Sequence, residues 1–271
     1  MNQLSSLSSR SEPTLVFLHG WGMNSGVWTS LTNMLNKHVK CQCIDLPGYG
    51  DAHDVDVTPE HYNLVYLANW VETRLPENSI LVGWSLGGLV AQKIAIDDPS
   101  KLSGLVCIAS TPKFEESHDW LGIKPNVLDL FHRQLSDDHG KTLNRFLAIQ
   151  MQGIADISAR KAAIRTLSER LLSKPSPNPA LLDAGLSLLS TVDLREAIGK
   201  IVLPTLRIYG RLDLLIPYKV IEKIADLHPN STSIVHKKAS HAPFVTDCEQ
   251  IYDDIMAFLN QTQLTNSIDK K

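Results

Sequence analysis

Six short apolar runs rich in β-branched residues recur along the chain and alternate with longer stretches in which apolar residues have helical spacing. The runs cover residues 14–18, 39–44, 79–83, 102–109, 204–209 and 232–236. The helical stretches cover residues 28–36, 61–75, 86–96, 218–227 and 249–259. Strands that alternate with helices pair in parallel, because each helix returns the chain to the same end of the sheet. The pattern predicts an α/β fold with a mostly parallel sheet covered by helices on both faces.

The alternation stops between residues 111 and 195, where several amphipathic stretches are broken by Gly122, Pro125, Gly153 and a proline-rich run at 175–179. Removing this segment would leave a continuous α/β pattern on either side. We therefore predict an α/β core at 14–110 and 196–260 and a helical lid inserted at 111–195. The remaining residues are expected to form a flexible N-terminus at 1–13 and a polar tail at 261–271.

The charge balance is close to neutral, with 26 Lys and Arg against 29 Asp and Glu among 271 residues. A net charge of −3 creates no chain-wide field that would attract nucleic acid or anionic lipid. The chain start is polar, and no stretch approaches the roughly 18 consecutive apolar residues that a membrane span requires. We expect a cytoplasmic monomer with neither a membrane nor a nucleic-acid partner.

Three of the four cysteines, Cys41, Cys43 and Cys107, lie in predicted strands, and Cys248 precedes a predicted helix. This placement predicts reduced, buried thiols. Cys41 and Cys43 could suggest a metal site, but they have no CxxC partner or nearby pair of histidines. Two residues apart on one strand, they share a face, and we expect core packing and no metal.

A strand, a G-x-S-x-G turn and a helix start follow one another at residues 80–88. This order is typical of a nucleophile elbow, in which the serine sits at the tip of a sharp turn. Gly83 and Gly87 remove side chains where the turn crowds its neighbours, so that Ser85 can expose its hydroxyl. The alternative, an ordinary turn serine, would leave the acid and base described next as a coincidence.

A serine needs a base to take its proton, and α/β proteins of this kind supply the acid and then the histidine later in the chain. Asp213 follows the strand at 204–209 and His241 follows the strand at 232–236. Both therefore lie beyond carboxyl ends of strands, where α/β sites are built. Ser85, Asp213 and His241 are the predicted catalytic residues, although Asp213 alone could be a helix cap or turn residue.

The other histidines fit this role less well. His236 would end a strand, and seven lie in polar or helical settings that favour a surface position. Those seven are His38, His53, His61, His118, His132, His139 and His228. His19 precedes a glycine-containing loop, which favours a role as loop anchor over that of a base.

Attack on an acyl group also requires donors for the developing oxyanion. The amide of Leu86, directly after the nucleophile, and the amide of Trp21, in the loop after the first strand, are the expected donors. The region 83–88 lacks both the lysine of a phosphate-binding loop and the G-x-G-x-x-G spacing. No cofactor is expected. The serine also disfavours dehalogenases and epoxide hydrolases of this shape, which use aspartate at this position.

Several motifs resemble the pimeloyl-[acyl-carrier protein] methyl ester esterase family of biotin synthesis, a group of α/β-hydrolases. In the core they are HGWG at 19–22, DLPGYG at 45–50, GWSLGGLVA at 83–91 and HAPF at 241–244. In the lid they are the segments 122–125, 135–138, 145–148 and 191–195. The resemblance extends over about residues 14–259. It implies an α/β-hydrolase fold and hydrolysis of the methyl ester of a pimeloyl chain carried by acyl-carrier protein.

The same resemblance assigns substrate contacts. Trp21 and Phe146 match positions that line the acyl pocket of the family, and Ser85, Leu86 and His241 match positions that meet the reacting ester. The product would be pimeloyl-acyl-carrier protein and methanol.

Residues 139–174 carry seven basic side chains against two acidic ones, Asp156 and Glu169. Taken alone, such an excess is typical of a solvated basic face. Because acyl-carrier proteins are strongly acidic, the resemblance favours docking of the carrier here. The expected docking residues are Lys141, Arg145, Arg160, Lys161 and Arg165.

Two alternatives remain at this stage. A generalist carboxylesterase for short acyl esters would use the same catalytic residues, because lids and pockets diverge on a common fold. A non-catalytic receptor could use a hydrolase-like pocket to capture a small ligand, but an intact Ser-Asp-His set disfavours it.

Overall fold

The computed structural model describes residues 12–268, with side chains as far as residue 262. Most of the segment predicted as a flexible N-terminus therefore lies outside the described residues. Six strands form one sheet in which every pair is parallel, in the order β2-β1-β3-β4-β5-β6. The strands are β1 (Thr14–Leu18), β2 (Lys40–Ile44), β3 (Ser79–Trp84), β4 (Leu102–Ile108), β5 (Thr205–Gly210) and β6 (Ser231–His236).

Ten α-helices connect and cover the strands within the described part of the chain. Those of the core are α1 (Thr29–Leu35), α2 (Leu64–Glu72), α3 (Leu86–Asp97), α8 (Val220–Leu227), α9 (Pro243–Thr246) and α10 (Cys248–Ile268). Those between β4 and β5 are α4 (Pro125–Asp137), α5 (His139–Gln150), α6 (Ile157–Leu172) and α7 (Pro179–Thr191). All six predicted strands are present, and no bound differs from its expected position by more than one residue. The predicted α/β class is confirmed.

The burial of the strands explains why they could be recognised as apolar runs in the sequence. β1, β3 and β5 are buried at every residue, because neighbouring strands flank them and helices cover them. Such strands read as continuous apolar runs. β2 and β6 form the two edges and are partly exposed. None of the helices among the described residues is long and apolar enough to cross a membrane.

The expectation of buried thiols is wrong for part of the set. Cys107 on β4 is fully buried, but Cys43 is exposed and Cys41 only partly buried. The reason is that β2 is an edge strand, so the face that carries both side chains is not fully covered. All four cysteines are free.

The last helix extends further than the sequence suggested. α10 continues to Ile268, well into the segment expected to be a polar tail. Thr262 shows the cause, because its side chain is buried and its hydroxyl donates to the carbonyl of Leu259. The helix is therefore still packed at Thr262, beyond the expected end of the core.

His228 was expected at the surface but is buried, with 1% of its surface exposed. It lies beside Arg207 of β5, which is itself fully buried and whose Nη2 donates to Nδ1 of His228 over 3.0 Å. Nη1 of Arg207 donates to Oε1 of Gln92 on α3 over 3.1 Å. Burial and the adjacent guanidinium lower the pKa of His228 from 6.5 to about 4. The six other histidines expected at the surface are exposed or only partly buried.

This buried histidine predicts acid sensitivity. Between pH 6.5 and about 4 an unfolded His228 is protonated while the folded one is not. The unfolded state then binds more protons, so the free energy of unfolding falls as the pH drops through this range. In His228→Gln, which keeps an acceptor for Arg207 but cannot titrate, that fall should be smaller.

Urea unfolding at pH 7.0 and pH 5.0 measures the difference, and His61→Gln at an exposed position is the matched control. An equal pH effect in wild type and His228→Gln would contradict the assignment.

Candidate active site

Ser85 occupies the turn between β3 and α3 with φ 54° and ψ −119°, a backbone conformation that side-chain-bearing residues rarely adopt. The neighbouring glycines permit it. A Cβ on Gly83 would lie 2.5 Å from the carbonyl oxygen of Gly87, and one on Gly87 would lie 2.5 Å from that of Leu18. The G-x-S-x-G spacing is therefore a packing requirement of this turn.

Hydrogen bonds on both sides hold the strained residue. The amide of Ser85 donates to the carbonyl of Ile108 over 3.0 Å, which extends the β3–β4 ladder to the tip of the turn. The hydroxyl of Ser110 donates to the carbonyl of Ser85 over 2.8 Å. The position of the Ser85 side chain is thus set by the end of β4.

Ser85, Asp213 and His241 meet in one hydrogen-bonded chain. Nε2 of His241 lies 3.0 Å from Oγ of Ser85, and Nδ1 of His241 lies 2.8 Å from Oδ2 of Asp213. All three residues are at most 4% exposed. Because a carboxylate accepts at Nδ1, the proton of a neutral His241 resides there, and Nε2 is left to accept from the serine.

The acid and the base are held by further contacts. Oδ1 of Asp213 accepts from the amides of Leu215 and Ile216 over 2.8 and 3.0 Å, so its other oxygen is left for His241. The carbonyl of His241 accepts from the indole of Trp84 over 2.8 Å. These bonds orient both side chains before any substrate arrives.

Of the two residues expected to supply oxyanion donors, Leu86 adjoins Ser85 in the chain, and Trp21 follows a glycine that lies beside it. Leu86 begins α3, and the first amides of a helix have no acceptor within it and lie at its positive end. Trp21 belongs to the loop after β1, which passes beside the serine, since a Cβ on Gly20 would lie 3.1 Å from Cβ of Ser85. Leu86 therefore follows Ser85 directly, and the loop that contains Trp21 passes close to Ser85.

His19 lies in the same loop but does not reach the serine. Its Nε2 accepts from the amide of Leu46 over 3.0 Å, and its Nδ1 bonds the carbonyl of Gly20 over 2.8 Å. Burial lowers the pKa of His19, although the charge of Asp45 opposes this. The bond at Nε2 ties the loop after β1 to the loop after β2, which is the anchoring role expected.

The lid contributes aromatic side chains to the site. Phe146 of α5 packs edge-on against Trp21 with ring centroids 4.7 Å apart, and Phe131 of α4 packs against Phe146 at 5.5 Å. The indole of Trp21 donates to the carbonyl of Leu182 on α7 over 2.8 Å. Three lid helices thus meet at the aromatic pair that the sequence assigned to the acyl pocket.

Gln150 was missed by the sequence analysis. It follows Phe146 by one helical turn on α5, and its carbonyl accepts from the amide of His241 over 3.1 Å. Its side chain is buried, and neither polar atom has a hydrogen-bond partner among the described residues. A buried amide left unpaired is costly unless something else satisfies it. The i, i+4 relation to Phe146 was the signal available in the sequence.

The basic residues expected to dock a carrier lie on two adjacent lid helices. Lys141 and Arg145 are one turn apart and exposed on α5, and Lys161 and Arg165 have the same relation on α6. Arg160 on α6 is partly buried. Two of these basic residues have an acidic neighbour. Asp138, which caps α5, lies 3.1 Å from Lys141, and Glu169 of α6 lies 3.7 Å from Arg165. Such exposed pairs are weak and leave the charges available.

Across the described residues, no three His, Cys, Asp or Glu side chains form a group that could hold a metal ion.

Comparison with known proteins identifies the family of the chain. Residues 13–247 match the profile of the alpha/beta hydrolase fold family. Pimeloyl-[acyl-carrier protein] methyl ester esterases from Pectobacterium atrosepticum and Klebsiella pneumoniae are 43% and 44% identical to the chain. The matches cover 90% of the chain in both cases and 93% and 92% of the relatives. Among solved structures, a hydrolase from Oleispira antarctica superposes with a TM-score of 0.81 at 21% identity, over 92% of each chain. The chain belongs to the α/β-hydrolase family and, within it, to the family of the pimeloyl-[acyl-carrier protein] methyl ester esterases.

Proposed function

We propose that the protein is a serine carboxylesterase that hydrolyses the methyl ester of pimeloyl-acyl-carrier protein, giving pimeloyl-acyl-carrier protein and methanol in biotin synthesis. The observation that carries the proposal is the buried chain of hydrogen bonds from Ser85 through His241 to Asp213. The substrate comes from the relatives at 43–44% identity, whose names specify this ester. The four free cysteines suit a reducing compartment, and we place the reaction in the cytoplasm.

The first half of the reaction transfers the acyl group to the enzyme. Nε2 of His241 takes the hydroxyl proton of Ser85 as Oγ bonds to the ester carbonyl carbon. The carbonyl oxygen becomes an oxyanion and accepts from the amides of Leu86 and Trp21. Asp213 stabilises the charged imidazolium. When the tetrahedral intermediate collapses, the C–O bond to the methoxy group breaks and His241 gives that oxygen the proton, releasing methanol.

The second half regenerates the serine. Neutral His241 takes a proton from water, whose oxygen attacks the acyl carbon of the ester on Ser85. The second intermediate collapses, the bond to Oγ breaks, and the proton held by His241 returns to Ser85. The product is the free carboxylic acid. The carboxylate of the product is charged, whereas the ester group of the substrate is neutral. Because a charge is costly in an apolar pocket, the pocket favours release of the product.

The lid suits a long acyl chain attached to a protein. The aromatic pair of Trp21 and Phe146 offers apolar contacts to methylene groups, which lose contact with water when they enter. Basic residues on α5 and α6 are proposed to receive the acidic carrier. That set consists of Lys141, Arg145, Arg160, Lys161 and Arg165. Such charge complementarity acts mainly on encounter and register.

Mass spectrometry of pimeloyl-carrier methyl ester before and after incubation with the protein tests the proposal, since hydrolysis removes one methylene equivalent of mass from the carrier. Kinetics on a short p-nitrophenyl ester should be run in parallel. A much higher kcat/KM for the carrier ester than for the p-nitrophenyl ester supports the proposed pimeloyl-carrier esterase. Equal kcat/KM for both substrates indicates a generalist carboxylesterase, and turnover of neither indicates a non-catalytic receptor.

Ser85→Ala should abolish ester hydrolysis while leaving the fold intact, because it removes only the nucleophilic oxygen. Asp213→Asn should lower kcat by roughly 10⁴-fold, since His241 loses both its orientation and the charge that stabilises it. Steady-state kinetics with the p-nitrophenyl ester measure both effects. Ser100→Ala, at an exposed position, is the control. Activity of Ser85→Ala within tenfold of wild type would rule out the proposed nucleophile.

Reversing charge with Arg145→Glu and Arg165→Glu together should raise KM for the carrier ester by about tenfold or more and weaken its dependence on salt. Hydrolysis of the p-nitrophenyl ester should change little, because the reacting groups are untouched. Arg133→Glu, an exposed arginine of α4 outside the proposed set, is the matched control.

The two substrates separate the possible results. Equal loss on both would mean that the substitutions damage the lid, and no change on either would mean that this basic face is only solvated surface. Either result would contradict carrier docking at these residues.

A further inference from the structure

Lys174, in the linker between α6 and α7, lies between two carboxylates of the core. Its Nζ is 2.8 Å from Oδ2 of Asp45 and also bonds Oδ2 of Asp51. The side chain of Lys174 is 22% exposed and that of Asp45 only 5%. Lys174 was counted in the positive excess of residues 139–174, but the structure shows that its charge is neutralised within the protein. It is therefore not available to a carrier.

Asp45 connects two loops at the base of the site. Its Oδ1 accepts from the amide of Ser25 over 2.6 Å, and its Oδ2 accepts from the amide of Asp51 over 3.0 Å. Burial acts to raise the pKa of Asp45, but the nearby His19, Lys174 and these two amides hold it below its ordinary value. The carboxylate is charged at neutral pH, and Lys174 is the cation that approaches it from the lid.

The same carboxylate lies directly behind the loop expected to hold the oxyanion. Oδ1 of Asp45 is 3.9 Å from Nε2 of His19, which accepts from the amide of Leu46. His19 is followed by Gly20, which touches Ser85, and then by Trp21. Movement of Asp45 would therefore disturb the residue that anchors this loop.

Around the lysine, the lid approaches the same two loops closely. Nδ2 of Asn24 donates to the carbonyl of Leu171 over 2.9 Å, and the amide of Asn178 donates to the carbonyl of Gly48 over 2.8 Å. A Cβ on Gly26 would lie 2.7 Å from Oγ of Ser173. These contacts are neutral. The ion pairs of Lys174 add charged links to this group, and hydrogen bonds between charged groups are stronger than neutral ones.

We infer that Lys174 is a positioning residue for the reaction: its ion pair with Asp45 holds the α6–α7 linker on the core and thereby fixes the loop that carries Trp21. The inference rests on the proposed ester hydrolysis. The hydrogen bonds of Lys174 go to Asp45 and Asp51 and not to Ser85. Lys174 acts through Asp45 and His19 on the geometry of the oxyanion loop, where small displacements have large effects on rate.

The test compares Lys174→Met, which keeps the length of the side chain but loses the charge, with Lys174→Arg, which keeps the charge. Lys124→Met, an exposed lysine at the start of α4, is the matched control. For Lys174→Met, kcat on a p-nitrophenyl ester should fall by about tenfold or more, because a misplaced oxyanion donor affects the transition state more than binding. KM should change less. Lys174→Arg should retain kcat within about threefold, and the control should match wild type.

Hydrogen exchange supplies a readout that does not depend on turnover. In Lys174→Met the amide of Asn178 should exchange at least about tenfold faster, while the slowest-exchanging amides of β3 keep their wild-type rates. An unchanged kcat, or an equal loss in Lys174→Arg and Lys174→Met, would overturn the inference. So would unchanged exchange at Asn178. If wild type hydrolyses no ester, the proposed function fails, but the exchange result still decides whether the ion pair holds the lid.

Asp51→Asn provides a second variant if Lys174→Met does not fold. Asp51 is 72% exposed, so the substitution leaves the core intact and removes one of the two partners of Lys174. It should lower kcat in the same direction by a smaller factor. If Lys174→Met cannot be measured, the result for Asp51→Asn decides. Wild-type kcat and a wild-type exchange rate at Asn178 in Asp51→Asn would then count against the inference.

Discussion

The turn at Ser85 places the backbone of one residue in a conformation that only tight packing maintains. β3 must end and α3 must begin within that residue, and the carbonyls of Leu18 and Gly87 occupy the space that side chains at Gly87 and Gly83 would need. The strain at Ser85 is held by bonds from both its amide and its carbonyl to the end of β4. The rest of the candidate site is arranged around this one position, because the proposed base and the candidate oxyanion donors must meet an oxygen that cannot move far.

The lid is a structural part of the site as well as its cover. The amide of His241 donates to Gln150, and the hydroxyl of Ser240 donates to the carbonyl of Gln152 over 2.8 Å. On the opposite side Trp21 donates to Leu182 of α7. The loops that hold the base and the candidate oxyanion donor thus both depend on lid backbone. A lid that changed shape would therefore alter the geometry around Ser85.

Two predictions made from the sequence were wrong about burial. Cys43 was expected in the core because alternation along a strand shows which residues share a face but not whether that face is covered. β2 proved to be an edge strand. His228 was expected at the surface because it ends a helix, but the guanidinium of Arg207 reaches it from the sheet. Both outcomes depend on the order of strands, which local pattern does not contain.

The sequence by itself determined the alternation of strands and helices, the elbow, and the chain order of Ser85, Asp213 and His241, because these depend on residue type and local spacing. Only the tertiary structure decided which side chains meet across the chain. The 2.8 Å contact of His241 with Asp213, the unpaired amide of Gln150 and the pairing of Lys174 with Asp45 all join residues far apart in sequence or depend on what surrounds them. The first follows from the pairing of β5 with β6, and the other two from the packing of the lid on the core, at distances that no local rule specifies.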